Sequence, residues 1–244
     1  LFTDHMVLQR DMAVPVWGWD DAGHSVSVAF AGQTKSAVAA DDGRWEIGLD
    51  ALKTSAEGGE LVVTGSTTQR FDDVLVGEVW LCSGQSDLQW PLQASDDPDL
   101  ESLTAKYPKI RFISVPQVGT QEPQDDFQGQ WDLCTPETVK QFSGVGYFFG
   151  RQLHQTLDVT IGLIDNAWGG SSAEAWVRRD VLEASGDCDT YIEMWEQKEA
   201  DMESGKSQKL YDANLAKWQQ ETEAAKAAGK RGPRKPRHPE HEMR

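Results

Sequence analysis

Residues 77–91 read Gly-Glu-Val-Trp-Leu-Cys-Ser-Gly-Gln-Ser-Asp-Leu-Gln-Trp-Pro, an apolar strand that stops in a Ser-Gly-Gln-Ser turn. Ser86 is the candidate nucleophile of this segment. A sharp turn at the carboxyl end of a sheet strand, with a small neighbour such as Gly84, exposes the hydroxyl, and a helix after it would aim amide N–H groups at an incoming carbonyl oxygen. Gly-x-Ser after a strand is also the form of a plain turn with an N-cap, so the spacing leaves both readings open. A second constellation is Asp165-Asn166-Ala167-Trp168-Gly169-Gly170-Ser171, which follows the apolar run at 160–164. Acyl transfer needs donors directed at the oxyanion of a tetrahedral intermediate, and glycine lets backbone N–H groups approach with no Cβ in the way. A Gly-Gly pair after a strand is equally the form of an ordinary turn.

A serine nucleophile requires a base. The five histidines are His5, His24, His154, His238 and His241. His24 closes Asp21-Ala22-Gly23-His24, where Asp and Gly are turn residues. His154 falls at the polar edge of an amphipathic helix. His238 and His241 lie in a Pro-rich tail beside Glu240 and Glu242, with no helix to align them as metal ligands. No metal site is expected.

The elements that must position Ser86 and the Gly-Gly turn are legible in outline. In the first 75 residues, short runs such as 13–17, 26–30, 44–49 and 61–64 have strand composition, separated by Asp/Gly turns. They predict a small antiparallel β-sandwich over 1–73. Trp17 and Trp19 are expected to split between its core and its surface. From Val74 to Arg178 buried strands at 79–82, 110–115 and 160–164 alternate with helix, the clearest over 143–157 with Val145, Phe148, Phe149, Leu153 and Leu157 at helical spacing. Strand, helix, strand predicts parallel pairing and hence an α/β sheet flanked by helices. Residues 179–244 read as a charged helical insert, broken near Glu203-Ser204-Gly205, with a basic Pro/Gly-rich tail.

With 39% hydrophobic residues and ten tryptophans the chain can build a sizeable core. Its net charge of −17 argues against nucleic acid and anionic membrane as partners. The six basic residues from Lys226 to Arg237 stand among glycines and prolines, which suits a solvated loop. No apolar run reaches the roughly 20 residues of a membrane span, and the first residues lack the pattern of a signal peptide. Cys82, Cys134 and Cys188 are too scattered for a disulfide framework or a Cys-x-x-Cys site; buried thiols are expected, with one bridge still open.

Gly84–Pro91, Gly-Gln-Ser-Asp-Leu-Gln-Trp-Pro, resembles the Gly-Gln-Ser-Asn-Met-Glu-Trp-Pro block of the sialate O-acetylesterase family, a branch of the SGNH (GDSL-like) hydrolases. The opening at 1–10, Pro-Val-Trp-Gly-Trp at 15–19, and 161–171 with Glu174-Ala175-Trp176 resemble the same family in the same order. The resemblance implies an SGNH-hydrolase-like sheet and a serine esterase that removes O-acetyl groups from sialic acids or related sugars, without cofactor. Ser86 is then the nucleophile and Gly170 the oxyanion-hole glycine, with Gly169 setting the turn. Gln85, Trp90, Gly169 and Ser171 would line the sugar site, although Trp90 equally suits packing beneath it. The partner implied is an acetylated sugar or glycan, and the location secreted or periplasmic. Asp87 departs from the family's asparagine: it either loses a donor beside the nucleophile or serves as an acidic first-turn residue. The family's Asp-x-x-His and Asn-bearing blocks have no counterpart here, so the chain is expected to be the amino-terminal half of a longer enzyme, whose missing carboxyl-terminal half supplies the base. Two other functions stay open: an acetyl esterase on xylan-type plant polysaccharide, and a catalytically incomplete carbohydrate-binding protein.

Overall fold

A computed structural model describes residues 1–239. They fall into two units, one formed by residues 1–116 with 126–171 and the other by residues 117–125 with the chain from Ser172 onward.

The first unit begins with β1 (Val7–Gln9), β2 (Val14–Trp19), β3 (Ser25–Phe30), β4 (Gln33–Val38), β5 (Arg44–Leu49), β6 (Ser55–Thr64) and β7 (Thr68–Gly84). After α1 (Ser86–Gln89) and α2 (Pro98–Thr104) come β8 (Tyr107–Ser114), β9 (Asp132–Cys134), α3 (Gly144–Leu157) and β10 (Ile161–Ala167). Eight strands form one mixed sheet in the order β4-β3-β6-β7-β10-β8-β9, with β1 also on β7, while β2 and β5 form a separate antiparallel pair. Alternation explains the pair: Trp45, Ile47 and Leu49 of β5 and Val14 and Val16 of β2 turn inward, onto Val26, Val28 and Phe30 of β3 and Leu61 of β6. Trp17 and Trp19 do not divide between core and surface as expected. Residues two apart share a face, so both lie with Pro15 on the outer side of β2, where Trp17 meets the ring of Phe2 edge-on at 4.7 Å.

The outer layer of the sandwich and the parallel sheet are one hydrogen-bonded sheet, because the 17 residues of β7 belong to both. Its start pairs antiparallel with β6, Leu75–Gly77 pair with β1, and Glu78–Gly84 run parallel to β10. The strand passes without interruption through Val74, where the sequence changes character; of Thr68–Asp73 only Phe71 is apolar, so that stretch carries little strand signal.

β8 and β10 pair in parallel, as the strand-helix-strand order predicts. α3 spans nearly the expected residues, and Ser143 caps it by accepting the Gly146 N–H at 3.0 Å. The buried face differs from the expected one. Gly144, Gly146, Tyr147 and Gly150 are buried, whereas Val145, Phe149 and Leu157 are exposed. Glycines carry no apolar side chain for a periodicity count, yet here they form the contact surface.

The second unit holds α4 (Arg179–Ser185), α5 (Asp189–Glu203) and α6 (Lys206–Ala227), with the break at Ser204–Gly205 where the sequence marks it. None of these helices buries a residue fully. The basic tail lies on α6: the Trp218 indole N–H donates to the Pro233 carbonyl at 2.9 Å, and Lys235 Nζ sits 5.9 Å from the Trp218 ring centre. No described helix is long and apolar enough to cross a membrane.

Candidate active site

Parallel strands β7 and β10 end together, with Cys82 beside Asp165, Ser83 beside Asn166 and Gly84 beside Ala167. The loops that leave them are therefore neighbours, and four bonds join them. Trp168 N donates to the Gly84 carbonyl at 2.9 Å and Ser83 Oγ to the Asn166 carbonyl at 3.0 Å. The Gln85 side-chain amide donates to the Ser171 carbonyl, and Gly169 N donates to Gln89 Oε1 at 2.6 Å.

Ser86 opens α1 in this junction and is exposed, with no hydrogen-bond partner for its Oγ among the described residues. Gly169 comes directly against it: a Cβ at 169 would lie 3.0 Å from Ser86 Oγ and 2.6 Å from Gln89 Oε1. Gly170 follows with φ +81°, a conformation L side chains rarely adopt, and nothing crowds the place its Cβ would take. The close approach thus falls on Gly169 and the turn conformation on Gly170. Among the described residues no acceptor takes the Gly170 N–H. Ser171 closes the turn by donating its hydroxyl to the Trp168 carbonyl at 2.7 Å.

The helix expected after Ser86 is a single turn of four residues. Pro91 stops it, since proline restricts Trp90 to extended backbone and has no N–H to give. A turn this short has little dipole, so any stabilisation of an oxyanion rests on individual amides. Asp87 lies exposed in that turn. Trp90 folds over its own loop, its indole N–H donating to the Ala94 carbonyl at 2.7 Å, with the ring largely exposed.

Two residues of the junction lie in the blocks read from sequence but were given no role there. Gln89, three positions past Ser86, is brought to the same side by the helical turn. Asp165 ends the apolar run of β10, and burial there pushes its carboxyl up to about 6, against the opposing effect of the Ala167 N–H it accepts. Burial also raises the neighbouring Cys82 thiol to about 11, which keeps it protonated and out of nucleophilic chemistry. All three cysteines are free.

The histidines are engaged elsewhere. His5 Nδ1 lies 2.8 Å from Asp73 Oδ2, a pairing with the look of a catalytic dyad. Burial works against the Asp73 charge, yet bonds from Arg111 and His5 hold its carboxyl below the usual range. This pair sits in the first half of β7, eleven residues before the strand ends at Gly84, or roughly 36 Å along it at about 3.3 Å per residue. His154 Nδ1 is 2.7 Å from the Val159 carbonyl, at the amino end of β10. His24 stands in its turn with Asp20 and Asp21, the three offering ligand atoms within 4.8 Å of one another. Asp20 already accepts the Ser66 and Asp21 amides at 2.8 and 2.7 Å, the bonds of a turn rather than of a metal centre. In the second unit, the His238 ring meets that of Tyr211 with centres 4.9 Å apart. His241, with Glu240 and Glu242, lies outside the described residues.

No protein-family model matches the chain. It is 35% identical over 204 residues to the sialate O-acetylesterase of Homo sapiens, which takes in 74% of this chain and 38% of the relative. The Mus musculus sialate O-acetylesterase is 33% identical over 206 residues, 75% of this chain and 38% of its own. The chain thus spans well under half the length of the curated relatives it matches. Among solved structures, a carbohydrate acetylesterase from Xanthomonas citri superposes with a TM-score of 0.69 at 36% identity, covering 76% of this chain and 42% of the other.

Proposed function

The chain is a homologue of the sialate O-acetylesterases over about three quarters of its length, and from that premise we propose that it carries the nucleophile and oxyanion-binding turn of an SGNH-type serine esterase. Its substrates are acetyl esters of sialic acids or related sugars. One observation carries the reading: at the shared carboxyl end of two parallel strands, the Gly169 backbone abuts an exposed serine hydroxyl.

In this reading Ser86 Oγ adds to the acetyl carbonyl carbon while its proton passes to a histidine. The carbonyl oxygen becomes the oxyanion and accepts the Gly170 N–H. The Gly169 N–H, held by Gln89 Oε1, joins only if that glutamine gives way. The sugar hydroxyl leaves with the proton, and water then hydrolyses the acetyl-Ser86 ester. The histidine comes from sequence outside these residues; the engagement of His5 by Asp73 and of His154 by the Val159 carbonyl supports this, as does the greater length of the relatives.

In the complete protein, Ser86→Ala should abolish release of acetate from an acetyl ester. Thermal stability should not move, since an exposed hydroxyl without partners is lost. A fluorophosphonate should label the peptide containing Ser86 in the parent and not in the variant. Near-parental turnover by the variant would overturn the assignment.

A further inference from the structure

We infer that the outer face of the β2–β5 pair is a second sugar-binding site, a platform of Trp17 and Trp19 that takes a neutral pyranose chain. This site goes beyond the esterase reading and does not rest on it, since the pair supplies no residue to the junction around Ser86. Its inward side is packed by Val14, Val16, Trp45, Ile47 and Leu49. The outward side consists of three rows of opposed residues: Pro15 with Gly48, Trp17 with Glu46, and Trp19 with Arg44.

The pleat sets the two indoles side by side, their Cα atoms about 6.7 Å apart along the strand. Trp19 is 50% exposed and Trp17 half-buried. Phe2, itself packed on the sandwich core, meets Trp17 edge-on and fixes the tilt of its ring. A ring held in place before the ligand arrives loses less freedom on binding. Among the described residues neither indole N–H has an acceptor, so each is a donor left for a ligand. Gly48 raises no side chain, and nothing lies within 4 Å of the place its Cβ would take, so the platform is open at that end.

The occupant follows from chemistry, charge and area. A pyranose presents a face of C–H bonds, which suits the electron-rich face of an indole, and a rim of hydroxyls. The platform answers that rim with donors on Arg44 and the indoles and an acceptor on Glu46. Arg44 and Glu46 lie 3.5 Å apart and offset each other, so the face favours neither an organic cation over the rings nor an anion. A protein partner or a second copy needs about 800 Å² on each side. Two half-covered tryptophans offer roughly 200 Å². Two rings in a row fit neighbouring units of one chain better than a single sugar.

Calorimetric titration of the complete protein with xylohexaose and cellohexaose, neither acetylated, tests this. At least one of the two should bind, and at least about 10-fold more tightly than its monosaccharide. Trp19→Ala and Trp19→Leu should weaken that binding at least about 10-fold, as loss of an anchoring tryptophan does, whereas Trp19→Tyr keeps an aromatic face and should retain most of it. The urea midpoint should hardly move in any of the three, because the side chain is exposed. Hydrolysis of p-nitrophenyl acetate, which has no sugar chain, should be the same in parent and variants. Hexasaccharide binding that Trp19→Leu leaves intact would overturn the inference, as would failure of both hexasaccharides to bind the parent. Dimerisation that Trp19→Ala abolishes would also overturn it, since the occupant would then be a second copy. An inactive protein whose binding depends on Trp19 defeats the esterase reading alone, and an active one that binds neither chain defeats this inference alone.

Discussion

At Gly169 one missing methyl group governs the distance between two loops. Gly169→Ala would bring a Cβ to 3.0 Å from Ser86 Oγ and 2.6 Å from Gln89 Oε1, so the serine or the turn must shift. Misplacement of a reacting group by an ångström costs on the order of 100-fold in rate. In the complete enzyme kcat should fall by about that factor, with stability changed by less than about 1 kcal/mol. Gly170→Ala tests the other half of the pair. It meets no atom but must hold φ +81°, so it should lose about 1 kcal/mol of stability. Urea denaturation of both variants beside their kinetics distinguishes crowding from strain. Asp165 supplies a prediction that needs no activity. Its carboxyl is raised to about 6 by burial, against about 3.9 in an unfolded chain. The folded state therefore binds the proton more tightly, and this group's contribution is most favourable below about pH 4 and is lost as pH rises through about 6. Asp165→Asn keeps an oxygen for the Ala167 N–H. It should stabilise the chain at pH 7 by about 1–2 kcal/mol, allowing for part exposure, and hardly at all near pH 4. A variant no more stable than its parent at pH 7 would show that the carboxylate is well solvated.

At the scale of elements, β7 and α3 carry the most information. β7 is readable from sequence where it is apolar, as the strand expected at 79–82; its mostly polar start is strand because β6 offers residues 68–71 a partner, from Thr64 back to Leu61. α3 is readable in extent and not in orientation. The apolar residues that signal a helix are in part the exposed ones, and glycines let the helix settle close on β10. A Cβ at Gly150 would lie 2.7 Å from Leu163 Cδ1 and 3.2 Å from Cδ2. Gly150→Val should therefore lift α3 from the sheet and cost about 1–3 kcal/mol, as overpacking does. The urea midpoint measures this. An unchanged midpoint would mean that Leu163 has room to move aside.

For the whole molecule, the proposal that the base comes from other sequence predicts that the 244-residue chain by itself hydrolyses acetyl esters weakly or not at all, because a neutral serine without a base is a poor nucleophile at pH 7. Acetate release by the purified chain measures this, and robust turnover would mean that one of its own histidines is the base. The sequence by itself determined the candidate chemistry: a serine and a glycine pair each following an apolar run, in blocks ordered like those of one esterase family. It also determined the alternation of the sandwich strands and the break at Ser204–Gly205, because pleat, turn and helix-break signals are local. The tertiary structure alone decided that Gly169 rather than Gly170 touches Ser86, that Gln89 Oε1 occupies the Gly169 amide, and that Asp165 is buried beside Cys82. Those facts depend on how β7 and β10, some 80 residues apart in sequence, lie in register, and register is a property of the paired strands that neither strand's residues contain.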